Sequence, residues 1–153
     1  MALPYREFFE KCLREIRANM PAVAAALWLR NRQGYLQLQA QIGINEVGLN
    51  RHHDGLAIHN ELLRVAFHSA EPIVLEPYDR FRFPDAISAK NLTDYTVMIA
   101  PLLLSKSASV GLLEAWQAPV SNREFKHESL QFLVTHGDAV AKQLRIVNDD
   151  QRE

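Results

Sequence analysis

The stretch Asp94–Pro119, DYTVMIAPLLLSKSASVGLLEAWQAP, constrains this chain more than any other part of it. It reads as two apolar strands joined by a polar turn at Ser105–Ser109. In the first strand Tyr95, Val97, Ile99, Pro101 and Leu103 alternate with Thr96, Met98, Ala100, Leu102 and Leu104, and both sets are largely apolar. A strand of that kind has to be covered on both faces. In the second strand Val110, Leu112, Glu114 and Trp116 alternate with Gly111, Leu113, Ala115 and Gln117. Pro101 has no N–H for a ladder, so a bulge or an unpaired side is predicted there. The rest of the chain must supply what covers this hairpin.

Taken in order, Pro4–Met20 has helical spacing. Phe9, Leu13, Ile16 and Met20 form a stripe, which Tyr5, Phe8 and Cys12 widen; Pro4 suits the first turn of a helix. Ala22–Arg30 is a strand apolar on both faces, suited to a central position. After the turn Asn31–Gly34, the residues Leu36, Leu38, Ala40 and Ile42 alternate with Gln37, Gln39 and Gln41. That pattern predicts an antiparallel partner strand with one buried and one wet face. A loop follows at Gly43–Asp54, with Asp54 as the expected cap. The next helix, Gly55–Ala70, carries Leu56, His59, Leu62, Leu63, Ala66, Phe67 and Ala70 on one side and stops at Glu71-Pro72. A short strand Ile73–Leu75, a long loop from Pro77 to Thr93, the hairpin and a closing helix within Ser121–Val147 complete the chain. The closing stripe runs through Phe125, Leu130, Leu133, Val134, Gly137, Val140, Ala141, Leu144 and Val147, with Gly137 placed to admit a close backbone.

Strands that come as hairpins, and not in regular alternation with helices, predict an α+β fold built on one antiparallel sheet of five to six strands. The first and last helices carry matching stripes and fit one face. The middle helix and the long loops fit the other, where a small-molecule pocket is expected. Residues 1–153 are read as one domain, a size consistent with one core.

The same stretches resemble a GAF domain, the signalling and small-molecule-binding fold of phosphodiesterases, phytochromes and bacterial regulators. The likeness runs over nearly the whole chain, through AALWL, RQG, YLQLQAQIG, LLRVAFHSAEPIVL, TVMIAPLLLSKSASVGLLEAWQ and LQFLVTHGDAVAKQL. Within that family, NLTDYTVMIAPL is similar to GAF-type regions attached to secretion adaptors of the HlyD membrane-fusion class. The resemblance implies a GAF-like, PAS-related sheet and a non-catalytic sensor or regulatory module. It would bind a small molecule or relay a signal to an attached domain, within a larger adaptor, as a homodimer through its first and last helices. The alternative is a ligand-free scaffold filled by its own side chains. The chain departs from three known activities of the family. It lacks the Asn-Lys-Phe-Asp-Glu set of cyclic-nucleotide binders. Its single cysteine, Cys12, lies on the first helix and not where bilin binders need one, and one cysteine is too few for the methionine sulfoxide reductases of this fold.

Composition excludes several other classes. A net charge of −1 carries no basic excess for nucleic acid. No run approaches a membrane span, and the N-terminus lacks the apolar core of a signal peptide. One cysteine fits a reducing, cytoplasmic setting better than an oxidising one. For ligand binding, the long loop offers Tyr78, Arg80, Arg82 and Phe83, with Asp79, Phe81 and Asp85 among them. Alternating aromatic and basic residues of this kind could hold an anion or a nucleotide, or simply pin a surface loop. Asn91 and Asp94 stand at the entry to the hairpin beside Thr93, where a side-chain-stabilised turn is expected. Met98 and Glu114 are the expected contributions of the sheet, Glu114 either as a pocket carboxylate or as a strand-end residue reaching solvent or an Arg partner. His52, His53 and His59 are the nearest approach to a metal set, but nothing completes it, so no metal is expected. No pattern names a cofactor. No nucleophile elbow, phosphate loop or paired carboxylates is present, so catalysis is not expected.

Overall fold

A computed structural model describes residues 6–80, 89–106 and 108–151, with side chains of the last helix described as far as residue 145. Pro4, Tyr5, Arg82, Phe83 and the side chain of Val147 lie outside the described residues. The elements are α1 (Arg6–Asn19), β1 (Ala22–Arg30), β2 (Leu36–Ile42), a 3-10 turn (Ile44–Glu46), α2 (Gly55–Ser69), β3 (Ile73–Leu75), β4 (Thr96–Leu103), β5 (Ser109–Gln117) and α3 (Arg123–Gln151). Five antiparallel strands form one sheet in the order β2-β1-β5-β4-β3. The α+β architecture expected from the hairpins is the one observed, with β5 at the centre and β1 and β4 on either side of it.

Both faces of the central strands are covered, as their apolar residues require. On one face α1 contributes Phe9, Cys12, Leu13 and Ile16, and α3 contributes Leu133, Val140, Ala141 and Leu144. They pack against Ala25, Leu27, Met98, Ala100, Leu102, Leu113 and Ala115. On the other face α2 lays Leu62, Leu63, Val65 and Ala66 over Ala24, Ala26, Val97, Ile99, Leu112 and Trp116. The loop ahead of α2 adds Val47 and Leu49 to the same layer. Leu56, expected on the α2 stripe, is exposed instead, and Val65 is buried in its place. Helix α2 ends where Ala70 turns left-handed (φ 56°), one residue before Glu71-Pro72. Asp54 holds the N-cap position, yet its side chain makes no capping bond; its carbonyl accepts the Ile58 N–H at 2.9 Å.

The alternation in β2 is broken. Leu27 pairs with Ala40 and Trp28 with Leu38, so Gln39 is an extra residue bulged out of register. A one-residue bulge reverses which face the following side chains meet. Leu36 therefore packs in the α2 layer, while Ala40 and Ile42 pack in the α1 layer. Pro101 keeps its place opposite Leu112, and the irregularity falls between Leu102 and Leu103. Strand β3 stops opposite Ile99, so no β3 residue lies alongside Pro101 to need the N–H it lacks.

Two glycines show how closely the layers approach. A Cβ on Gly111 would lie 2.1 Å from the Trp28 carbonyl oxygen of β1, far inside contact distance. On Gly137 it would lie 3.5 Å from Leu102 and 3.7 Å from the Pro101 carbonyl, which is ordinary contact. The close approach expected at Gly137 thus leaves room for a methyl group. Gly111→Ala is expected to push β1 and β5 apart and lower stability by roughly 1–3 kcal/mol. Gly137→Ala should raise stability by about 1 kcal/mol through helix propensity. Urea unfolding of the two variants checks these opposite signs.

Candidate functional site

Strand β5 sends every second side chain toward α2, and one of them is a carboxylate. Glu114 pairs across the ladder with Ala26 on one side and Ile99 on the other, so its immediate neighbours are apolar. It is 0% exposed. A charge so placed needs donors, and two aromatic residues supply them. The indole Nε1–H of Trp28, on β1, donates to Oε1 at 3.0 Å. His59 of α2, 5% exposed, brings Nε2 to 3.3 Å from Oε1 and 3.0 Å from Oε2. Only the contact with Oε1 has hydrogen-bond alignment, so Oε2 touches the ring nitrogen but has no aligned donor. An ionised carboxylate only accepts, so against it Nε2 carries the hydrogen. The imidazole lies between two indoles, its centroid 5.6 Å from that of Trp116 and 6.4 Å from that of Trp28.

The cluster is not fully satisfied. Glu114 Oε2 and the indole N–H of Trp116 are buried without a hydrogen-bond partner. So are both amide atoms of Gln117, one residue further along β5 and on the opposite face. Native proteins leave few such atoms. The two on the α2 side of β5 belong to a buried polar cluster with Trp28 and His59, whereas the two of Gln117 stand apart from it on the other face.

The residues singled out from the sequence separate into several places. Glu114 lies in this cluster and does not reach solvent. Met98 does not join it: Met98 pairs with Ala115, while Ile99 is the neighbour of Glu114, so Met98 faces α1 and α3. The alternation along β4 puts the two residues on opposite sides of the sheet. Asn91 is buried and serves the backbone. Its Nδ2 faces the carbonyls of Leu75, Glu76 and Tyr95 at 2.7–3.1 Å, and its Oδ1 accepts from the N–H and hydroxyl of Thr93. It is the expected turn, tied also to the end of β3. Asp94 is exposed and accepts the Tyr78 hydroxyl at 2.6 Å, with Arg51 at 3.5 Å. This hydrogen bond to Asp94 raises the Tyr78 pKa above the usual phenol value. Tyr78 holds a left-handed backbone, φ 64°. Arg80 is exposed and forms an isolated bridge with Lys90, so the stems of the long loop meet. Arg82 and Phe83 lie outside the described residues.

The three histidines do not converge. His53 is almost wholly exposed, His52 packs edge-on to Tyr78 and His59 is buried. Among the described residues no group of three His, Cys, Asp or Glu side chains could hold a metal. The partnership of Glu114 with Trp28 and His59 was not anticipated. The signal for it was present: a carboxylate inside an apolar strand needs donors, and few inward positions carry any.

Among the described residues, cavities border three other surfaces. One of about 420 Å³ lies between α2 and the start of β2, beside Tyr35, Leu36 and Phe67. One of about 310 Å³ lies by Ile44, Leu49 and Leu56. The third, also about 310 Å³, is a groove between α1 and α3 lined by Phe8, Cys12, His136 and Ala139. Burial, aided by the charge of Glu15, pushes the Cys12 thiol up to about 12, so at neutral pH it stays protonated. None of the three is lined by Glu114.

The GAF domain family matches residues 4–144 of the chain. Among solved structures, the chain is similar to the GAF domain of A. aeolicus nlh2 in an inactive state, with TM-score 0.67, 12% identity, and 95% of this chain and 88% of that one covered. It is also similar to the GAF domain of a phosphoenolpyruvate-protein phosphotransferase (ptsP) from Coxiella burnetii, with TM-score 0.64, 18% identity, and coverage of 99% and 89%. A third is the photoproduct state of GAF3 from Slr1393 of Synechocystis sp. PCC6803, with TM-score 0.57, 14% identity, and coverage of 94% and 97%. At these identities the likeness is one of fold. No curated protein was found to match.

The role of Trp28 can be measured. Trp28→Phe removes the indole donor and is expected to lower stability by roughly 1–3 kcal/mol. In a Glu114→Gln background the acceptor is neutral and the loss should shrink. A double-mutant cycle by denaturant unfolding cancels the packing change common to both backgrounds. Equal losses in the two backgrounds would mean that the carboxylate accepts from the indole no more strongly than a neutral amide oxygen does.

Proposed function

Because the chain belongs to the GAF domain family, whose members are generally regulatory modules of signalling proteins, we propose that it is a non-catalytic sensor. Its input is a small polar molecule received on the α2 side of β5, and its output passes to an attached domain. The observation that carries the reading is the pair of buried atoms without an aligned hydrogen bond, Glu114 Oε2, which His59 Nε2 touches at 3.0 Å, and Trp116 Nε1. A carboxylate acceptor and an indole donor left open in the same layer suit a ligand that carries both a donor and an acceptor. A layer with a structural role alone would gain by replacing both with apolar groups.

The second reading is a scaffold without a ligand. It is favoured by the close filling of the same layer, where Trp116, Leu62 and Leu112 are each 0% exposed. In either case α1 and α3 are proposed as the relay and homodimer surface, meeting along the groove that contains Phe8 and Ala139. The similarity of NLTDYTVMIAPL to HlyD-type adaptors extends the proposal to a place in a larger secretion or transport protein. Among the described residues no helix is long and apolar enough to cross a membrane. The proposed setting is cytoplasmic, without nucleic acid as a partner.

Thermal unfolding against a panel of nucleotides, haem, metal ions and small metabolites separates the two readings. A true ligand at about 100 times its Kd contributes about 2.7 kcal/mol, a rise in Tm of roughly 5–10 °C for a chain of this size. Glu114→Gln should reduce that rise. A flat response across the panel would leave the scaffold reading standing; a rise unchanged by Glu114→Gln would move the site elsewhere.

A further inference from the structure

The cavity between α2 and the start of β2, of about 420 Å³, falls within the range of about 300–1,000 Å³ that holds small molecules. The bulge in β2 builds its floor. With Gln39 out of register, Leu36 turns to the α2 side and lines the cavity together with Leu63 and Phe67. Bulges re-aim side chains in this way beside ligand sites. Tyr35, 71% exposed, stands at the mouth.

A cation borders the same wall. Arg30 pairs across the ladder with Leu36, so both lie on one side of the sheet. Its guanidinium carbon lies over the Phe67 ring, 5.9 Å from the centroid. Stacking occupies the flat side of a guanidinium and leaves its N–H edge open to an acceptor. Among the described residues no carboxylate pairs with Arg30. Glu61, the one carboxylate among the described residues that line the cavity, is already held through both oxygens by Arg64. His68, edge-on to Phe67 at 5.7 Å, adds no negative charge. An apolar, partly aromatic wall therefore carries one uncompensated positive charge.

We propose that this cavity binds an aromatic carboxylate, its ring against Leu36, Leu63 and Phe67 and its carboxylate on the N–H edge of Arg30. Each half of such a ligand has a partner. The ring gains by leaving water, and the planar carboxylate matches the planar guanidinium. One uncompensated cation suits a single negative charge, which favours a carboxylate over a phosphate monoester with nearly two. Asn60, also in the lining, offers amide donors and an acceptor to a hydroxyl on the ring. Glu114 does not line this cavity. The site is therefore separate from the layer proposed above as the sensor's input, and stands whether or not that layer takes a ligand.

Titration of isotope-labelled protein with benzoate, phenylacetate and indoleacetate, followed by two-dimensional NMR, tests this. At least one of the three should give saturable shifts at residues 34–36 and 57–68 and leave the Trp116 indole signal in place. The matching neutral amide should bind at least roughly tenfold more weakly. Arg30→Met keeps an apolar stem over Phe67 and removes the charge; it should weaken binding by roughly ten- to a hundredfold. Ala57→Trp, at an exposed position of the lining, should fill the cavity and abolish binding. The spectra of both variants report whether they fold, and the comparison of acid with amide needs no variant. Equal binding of acid and amide would overturn the role of Arg30. Tighter binding of phenyl phosphate than of phenylacetate would overturn the choice of carboxylate. Shifts centred on the Trp116 indole and unchanged by Arg30→Met would overturn this site and move the ligand to the Glu114 layer. No saturable shift from any of the three acids, at the highest concentration reached, would overturn the proposal outright.

Discussion

A carboxylate in the middle of a sheet, covered on both sides, has to be given hydrogen-bond donors from elements distant in sequence, and much of the arrangement around β5 follows from that. Glu114 cannot reach solvent, because Ala26 and Ile99 flank it and α2 lies above. Trp28 reaches it across 86 residues of sequence and His59 across 55. These contacts tie β1, β5 and α2 to one point. Breaking one partnership in such a site leaves a buried carboxylate under-served, which costs roughly 1–3 kcal/mol. The position of α2 over the sheet is thus set by a polar contact as well as by Leu62, Leu63 and Ala66. A sheet and helix held only by apolar packing would tolerate a shift of register more easily.

The ends of the long loop are fixed by the same kind of chemistry. Asn91 satisfies backbone groups of β3 and of the lead into β4. Glu76 accepts from Thr96 on one oxygen and from Lys126 on the other, which joins β3, β4 and the first turns of α3. Arg145 then donates to the Leu104 carbonyl, so α3 is pinned at both ends of β4. The helix proposed as an output surface is therefore coupled to the strand next to Glu114. A change in the α2 layer that moved β4 would reach α3 through defined contacts. Those contacts are the links on which the proposed relay from the α2 layer to α3 would depend.

Much of the fold was legible in the chain because apolar periodicity reports burial directly. Both faces of β4 read as covered, and both are; the stripes of α1 and α3 read as one face, and they share it. The candidate site was legible at single residues only. Glu114 stood out as a charge in an apolar strand, and His59 as a histidine on an apolar helix face. Nothing in their spacing says that they meet, since the distance between them is set by where α2 crosses the sheet. Met98 and Glu114 read together as the sheet's contribution to a pocket; strand parity separates them. The alternation of β2 promised one buried face, and the bulge at Gln39 divided it. A bulge depends on how two strands twist against each other, which neither strand records alone.

By itself, the sequence determined the elements, their order, the antiparallel pairing of neighbours and the need to cover the central hairpin on both faces. Those are consequences of local periodicity and turn chemistry, which act within a few residues. Only the tertiary structure decided that β1 and β4 both flank β5, that an indole and an imidazole converge on Glu114, and that Oε2 and the Trp116 N–H stay open. Those outcomes depend on long-range register and on desolvation, and a buried charge takes its partners from whichever elements the packing brings within 3 Å. The hairpin that makes the chain foldable thus also carries the buried carboxylate cluster, on the α2 face of β5.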